Sequence, residues 1–153
     1  MPTVKEVLND TKKRLKEQGI DTYSLDSSLL VSEVTGLTKI QLVTHDRDEV
    51  TEEQINRLEN LVKERLKNKP MQYILGHCEF MGLDFKVTEN TLIPRGDTEN
   101  IVEEVIATIE NSGYNTVLDM CTGTGAIAIS VAHYTKAKVT ASDISSKALE
   151  VAR

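Results

Sequence analysis

The stretch VLDMCTGTGAIAIS, residues 117–130, constrains this chain more than any other feature. An apolar run ends in an acid, passes through Thr-Gly-Thr-Gly, and continues with small and apolar residues at helical spacing. That order reads as strand, tight loop and helix. Glycine serves such a loop twice: it adopts backbone angles closed to other residues, and without a Cβ it lets a ligand lie against the main chain. Gly123, Gly125 and Ala128 match G-x-G-x-x-[G/A], in which the last small residue lets the helix pack closely on the sheet. The pattern predicts a strand over 116–118, a helix over 126–134, a strand over 138–142 and a further helix from Ser145. This is the opening of a parallel α/β sheet. Asp143 ends the second strand, about 20 residues after the first glycine, where an acid can accept hydrogen bonds from ribose hydroxyls. Loop and acid together point to a nucleoside-containing cofactor.

Upstream the pattern is helical. Thr3 and Glu6 form a capping box, after which Val4, Val7, Leu8 and Leu15 line one face until Gly19. SLDSSLLVSEVTG predicts a second helix with Leu29, Leu30 and Val34 inward and Gly36 as its stop. TKIQLVTH reads as a short third helix. In TEEQINRLENLVKERLKNKP the capping box recurs at Thr51 and Gln54, Ile55, Leu58, Leu61, Val62 and Leu66 face inward, and Pro70 breaks the run. Residues 1–70 are therefore expected to form a helical bundle. MQYILGHCEFMGLDFKV is β-leaning, with MGLD as a turn, so residues 71–97 are expected to form a hairpin linker. Asp97 or Thr98 can cap the next helix, which carries Ile101, Val102, Val105, Ile106 and Ile109 on one stripe. Residues 98–153 would then hold the first part of an α/β domain. Two parallel strands leave faces and edges open. The α/β domain accordingly reads as incomplete, and its open edge invites self-association through residues 116–142.

Charge and composition exclude several classes. The net charge of −6 argues against a broad grip on nucleic acid. The basic run KERLKNKP suits the C-terminal end of a helix. No run approaches the roughly 18 apolar residues of a membrane span, and the N-terminus lacks the apolar core of a signal peptide. Cys78 and Cys121 lie far apart and unaccompanied, as in a cytoplasmic protein with reduced thiols. His45, His77 and His133 show no metal-ligand spacing, so no metal site is expected. Cys121 sits near a helix start, which favours a thiolate, but a small residue fitting a crowded turn is the favoured reading.

The choice of cofactor turns on a second acid. A dinucleotide site holds a pyrophosphate at the helix N-terminus, where Asp119 would be repulsive. A methyl-donor site holds a nucleoside with an amino-acid tail, and Asp119 could hydrogen-bond its cationic amino group or nearby water. Otherwise Asp119 is a helix or loop cap. The pair Asp119 and Asp143 favours S-adenosylmethionine.

In this order, LIPRGDTE, VLDMCTGTGAIAIS and SDISSKALEVAR resemble the HemK-type (PrmC) protein-(glutamine-N5) methyltransferases of peptide chain release factors. The resemblance covers essentially the whole chain, with Gly96 standing where that family usually has proline. It implies an N-terminal helical bundle, a linking β-hairpin and the truncated start of a Rossmann-like class I methyltransferase domain. It also implies methyl transfer from S-adenosylmethionine to the glutamine amide of a Gly-Gly-Gln loop. Asp119 and Cys121, Thr122, Gly123, Thr124 and Gly125 would form the cofactor loop, Asp143 would hold the ribose, and Arg95 and Thr98 would lie by the cofactor and substrate pocket. The helical domain would grip the release factor, in the cytoplasm, without membrane or direct nucleic-acid contact.

An amide nitrogen is a poor nucleophile, so such a transfer rests on alignment and on acceptors for its N–H bonds. In the resembled family an Asn-Pro-Pro-Tyr segment supplies them. Here the prolines are Pro2, Pro70 and Pro94, and none follows an asparagine. The chain alone is expected to be inactive. Three alternatives remain: a ribosomal-protein glutamine methyltransferase, a piece of an NAD(P)-binding oxidoreductase, and a non-catalytic protein-binding helical module.

Overall fold

A computed structural model describes all 153 residues, which divide by their contacts into two units, Met1–Leu75 and Gly76–Arg153. The first unit holds helices α1 (Val4–Glu17), α2 (Tyr23–Thr35), α3 (Gln41–Thr44), α4 (Glu52–Leu66) and α5 (Met71–Leu75). Both expected capping boxes form. The Thr3 hydroxyl accepts from Glu6 N–H at 3.3 Å while Thr3 N–H donates to the Glu6 carboxylate at 2.8 Å, and Thr51 and Gln54 repeat the exchange. Each box satisfies two donors that a helix start would leave orphaned. α2 stops at Gly36, whose φ of 74° is the left-handed cap geometry. Leu15, Leu30, Val31, Val50 and Val62 are fully buried, and Leu58, Leu42 and Met71 join them in one core. Within α2 the structure buries Val31, which the sequence pattern did not single out, and leaves Leu29 partly buried.

α2 and α4 are also joined by a buried ion pair. Arg65 Nε donates to Asp26 Oδ2 at 2.8 Å, and the Thr22 hydroxyl donates to the same oxygen. Residues 71–75 differ from expectation: they form a helical turn, not part of the hairpin. Pro70 starts this turn, because its carbonyl accepts from Tyr73 and Ile74 N–H, and a proline at a helix start forfeits no helical hydrogen bond. Burial of Met71 in the core outweighs the segment's β-leaning composition.

The second unit opens with an antiparallel hairpin, β1 (His77–Phe80) and β2 (Leu83–Lys86), in register Phe80↔Leu83 and His77↔Lys86. Phe80 and Phe85 meet edge to face, with ring centroids 6.1 Å apart. A 3₁₀ turn (Gly96–Thr98) leads into α6 (Glu99–Ser112). Neither Asp97 nor Thr98 caps α6 through its side chain. Thr98 already has helical backbone angles, whereas a side-chain cap needs an extended residue, and the turn satisfies its N–H on the Arg95 carbonyl instead. α6 buries Val102 but leaves Ile101 exposed. Then follow β3 (Thr116–Met120), α7 (Ala126–Tyr134), β4 (Lys138–Ser142) and α8 (Ser146–Ala152), with β3 and β4 paired in parallel as the alternation predicted. Phe80, Phe85, Val102, Ala126 and Val131 form this unit's core. The pair is covered only in part: Leu118 and Met120 on β3 are 60% and 70% exposed.

Candidate functional site

The glycine loop is built by backbone conformation and held by two carboxylates. Cys121, Gly123 and Gly125 all lie at positive φ, 64°, 56° and 79°. Thr122 N–H donates to the Ser142 carbonyl at 2.9 Å, tying the loop to the end of β4, and Gly125 N–H closes a turn on the Thr122 carbonyl at 2.8 Å. The two glycines do different work. A Cβ on Gly125 would stand 2.9 Å from Ile129 Cδ1 and 3.2 Å from Ala152 Cβ, so this glycine exists for close packing against α8. A Cβ on Gly123 would meet nothing within 4 Å, leaving open space in front of the main chain for a ligand.

Asp119 is buried at the end of β3. Its Oδ2 accepts from the Thr122 hydroxyl at 2.6 Å and from Ala128 N–H at 3.2 Å. Gly125 is the N-cap residue of α7 and offers no side chain, so Asp119 supplies the missing cap from the neighbouring strand. Asp143 works on the other side. Its Oδ2 accepts from Gly123 N–H at 2.9 Å and its Oδ1 from Ser145 N–H at 2.9 Å. These backbone donors, Ser145 first, hold its carboxyl below the ordinary aspartate range, so it stays an anionic acceptor with lone pairs left over.

Arg95, Thr98, Cys121, Thr122, Gly123 and Thr124 line one cavity of about 140 Å³. Asp119, Gly125 and Asp143 do not line it; Asp143 is joined to the lining only by its bond to Gly123 N–H. Cys121 is exposed rather than packed in a crowded turn, and Arg95 is exposed beside Asp97 at 3.7 Å. The sequence reading missed the cavity's apolar wall, Phe80, Leu92, Ile93, Pro94 and Ile127. Its one visible signal was the apolar Leu-Ile-Pro preceding Arg95. A larger groove of about 430 Å³ lies along α6 and β3, but Ile101, Val105, Ile109, Tyr114 and Val117 make it largely apolar, and no loop residue reaches it. It is the uncovered flank of the sheet, and the glycine loop lines the smaller cavity. His45 and His77 each pair with a single carboxylate, Asp48 and Asp84. Burial pushes the Cys78 thiol up, followed by the charges of Asp84, Glu79 and Glu99.

The residues present fit a nucleoside with a short polar tail. The cavity has open main chain at Gly123, which the Asp143 carboxylate holds by its N–H, and a polar rim at Arg95 and Thr98. Fold and site together define the start of a glycine-loop α/β unit, following a helical domain in the chain. Residues 6–76 match the PrmC N-terminal domain, a segment that ends one residue past the first unit. The chain is 41% identical over 151 residues to a release factor glutamine methyltransferase of Clostridium acetobutylicum, covering 98% of this chain and 53% of that protein. The same-named proteins of Moorella thermoacetica and Fusobacterium nucleatum are 39% and 40% identical, with 99% and 96% of this chain covered and 54% and 42% of theirs. The chain thus spans about half the length of the curated relatives it matches. It carries the PrmC N-terminal domain and is similar, as an N-terminal portion, to release factor glutamine methyltransferases. No helix is long and apolar enough to cross a membrane.

Proposed function

We propose that this chain is the substrate-gripping and cofactor-loop portion of an S-adenosylmethionine-dependent protein-(glutamine-N5) methyltransferase acting on the Gly-Gly-Gln loop of release factors in the cytoplasm. The observation that carries the reading is the Gly123–Asp143 pair: open, positive-φ main chain with an ionised carboxylate fixed at its N–H. The cofactor, when bound, supplies an electrophilic methyl group. The chain's own residues bind and orient. Asp143 accepts from ribose hydroxyls with the lone pairs its backbone donors leave free, and Asp119 keeps the loop in shape from behind. Arg95 and Thr98 edge the cavity towards the substrate, and Phe80, Ile93 and Ile127 exclude water from one side. The acceptors that would hold the amide N–H bonds belong to an Asn-Pro-Pro-Tyr segment that these 153 residues do not contain. The chain alone therefore binds without transferring, and a longer protein carrying that segment transfers.

Calorimetric titration with S-adenosylmethionine, with NAD as control, tests the reading. Saturable binding of S-adenosylmethionine alone supports it, and NAD binding would overturn it. Glutamine methylation of a release factor by the purified chain would refute the proposed inactivity. We also propose self-association through residues 116–142, on the strength of the open edge of β3 and its exposed Leu118 and Met120. A monomer mass independent of concentration would count against it.

A further inference from the structure

The Met81-Gly82 turn of the hairpin is held from outside by two side chains. Both residues lie at positive φ, 51° and 70°, the geometry for which Asn-Gly is the usual pair. A methionine there is strained, because its Cβ crowds the following carbonyl. The turn's polar groups are instead taken by residues distant in sequence. Met81 N–H donates to Glu99 Oε1 at 2.7 Å, from the first residue of α6. The Met81 carbonyl accepts from the Tyr134 hydroxyl at 2.6 Å, from the last residue of α7. Gly82 lies beneath that hydroxyl, which a Cβ would approach to 3.6 Å. Directly before the turn stands Phe80, 1% exposed, which lines the cavity together with Cys121–Thr124. Glu99 and Tyr134 do not line it.

We propose that Glu99 and Tyr134 are positioning residues. They clamp the strained turn so that Phe80 stands as a wall of the ligand cavity, and they tie that wall to α7, the helix that starts at the glycine loop. The role of Glu99 is that of a hydrogen-bond acceptor rather than a charge. The identity of the ligand rests on the function proposed above, but the clamp does not.

The test compares the full 153-residue chain with E99A, E99Q and Y134F. Amide exchange at residues 81–83 and the ring signals of Phe80 are followed by nuclear magnetic resonance, and S-adenosylmethionine binding by calorimetry. E99A is expected to speed exchange in the turn about tenfold or more, since the Met81 N–H loses its acceptor. It should also shift the Phe80 signals and weaken binding by a similar factor. E99Q keeps an oxygen in place and should restore all three. Y134F should act in the same direction, and it decides the matter if E99A fails to fold. Unchanged exchange in E99A would overturn the clamp. A released turn with unchanged Phe80 signals and affinity would overturn the positioning role, and failure of E99Q to rescue would overturn the acceptor role. If no protein binds S-adenosylmethionine, wild type included, the proposed function fails while exchange and the Phe80 signals still judge the clamp.

Discussion

Replacing Asp119 with alanine removes the acceptor that joins β3, the glycine loop and the start of α7. The carboxylate is buried, and its Oδ2 serves two buried donors, the Thr122 hydroxyl and Ala128 N–H. Leaving a buried donor unpaired costs about 1–3 kcal/mol, so two give a gross loss of about 2–6 kcal/mol. Relief from burying the carboxylate offsets part of this, and Thr122 can turn to seek another acceptor. A net loss of about 3 kcal/mol is the reasoned value. In a unit of this size 1 kcal/mol moves the melting temperature by roughly 4–8 °C, so D119A should lower the transition of the second unit by roughly 12–24 °C. D119N keeps an oxygen in place and should cost about a third as much. Differential scanning calorimetry can separate this transition from that of the helical unit, which should not move. The reasoning is refuted if D119A melts within a few degrees of wild type. It is refuted equally if D119N is as damaging as D119A, since charge rather than acceptor geometry would then carry the effect.

Three further outcomes follow from the same structure. G125A should destabilise the second unit by about 2–3 kcal/mol, because positive φ and the unyielding Ala152 Cβ act together, whereas G123A meets open space and should cost only about 1 kcal/mol of backbone strain; their melting temperatures check the order. D26A should weaken the helical unit by about 3 kcal/mol in urea unfolding, since it strands the guanidinium of Arg65, whose side chain is only 15% exposed. The hydrogen bond from Arg14 holds the Glu59 carboxyl below its ordinary value of 4.5. A depressed carboxyl stabilises the fold above its unfolded pKa, and that contribution is lost as the pH falls through the folded one. Acid titration of the helical unit should therefore flatten below pH 4.5 in E59Q, by under about 1 kcal/mol because the Glu59 side chain is 40% exposed. An unchanged acid limb would count against the pair.

Helix starts were legible because a capping box acts over three residues. Thr3–Glu6 and Thr51–Gln54 announced themselves, and the structure adds a third reciprocal pair, Thr38–Gln41, at the start of α3. The βαβ order from Thr116 onward was legible for a similar reason, since strand and helix periods are local patterns. Residues 71–75 were not, because their helix depends on the Pro70 carbonyl and on burial of Met71. The side-chain cap expected at Asp97 or Thr98 failed because the residue before α6 was already helical.

By itself the sequence determined most helices and strands, residues 71–75 excepted, where the chain changes character, and that a glycine loop is answered by acids. These follow from spacing and from backbone angles, which each residue carries with it. Only the tertiary structure decided what each residue in that loop faces: Asp119 inward as a cap, Cys121 outward, Gly125 against α8 and Gly123 towards open space. It alone brought Met81 to Glu99, 18 residues away, and to Tyr134, 53 residues away. The physical reason is that burial and hydrogen-bond partnership are properties of pairs, and distant pairs meet only after the local elements have packed.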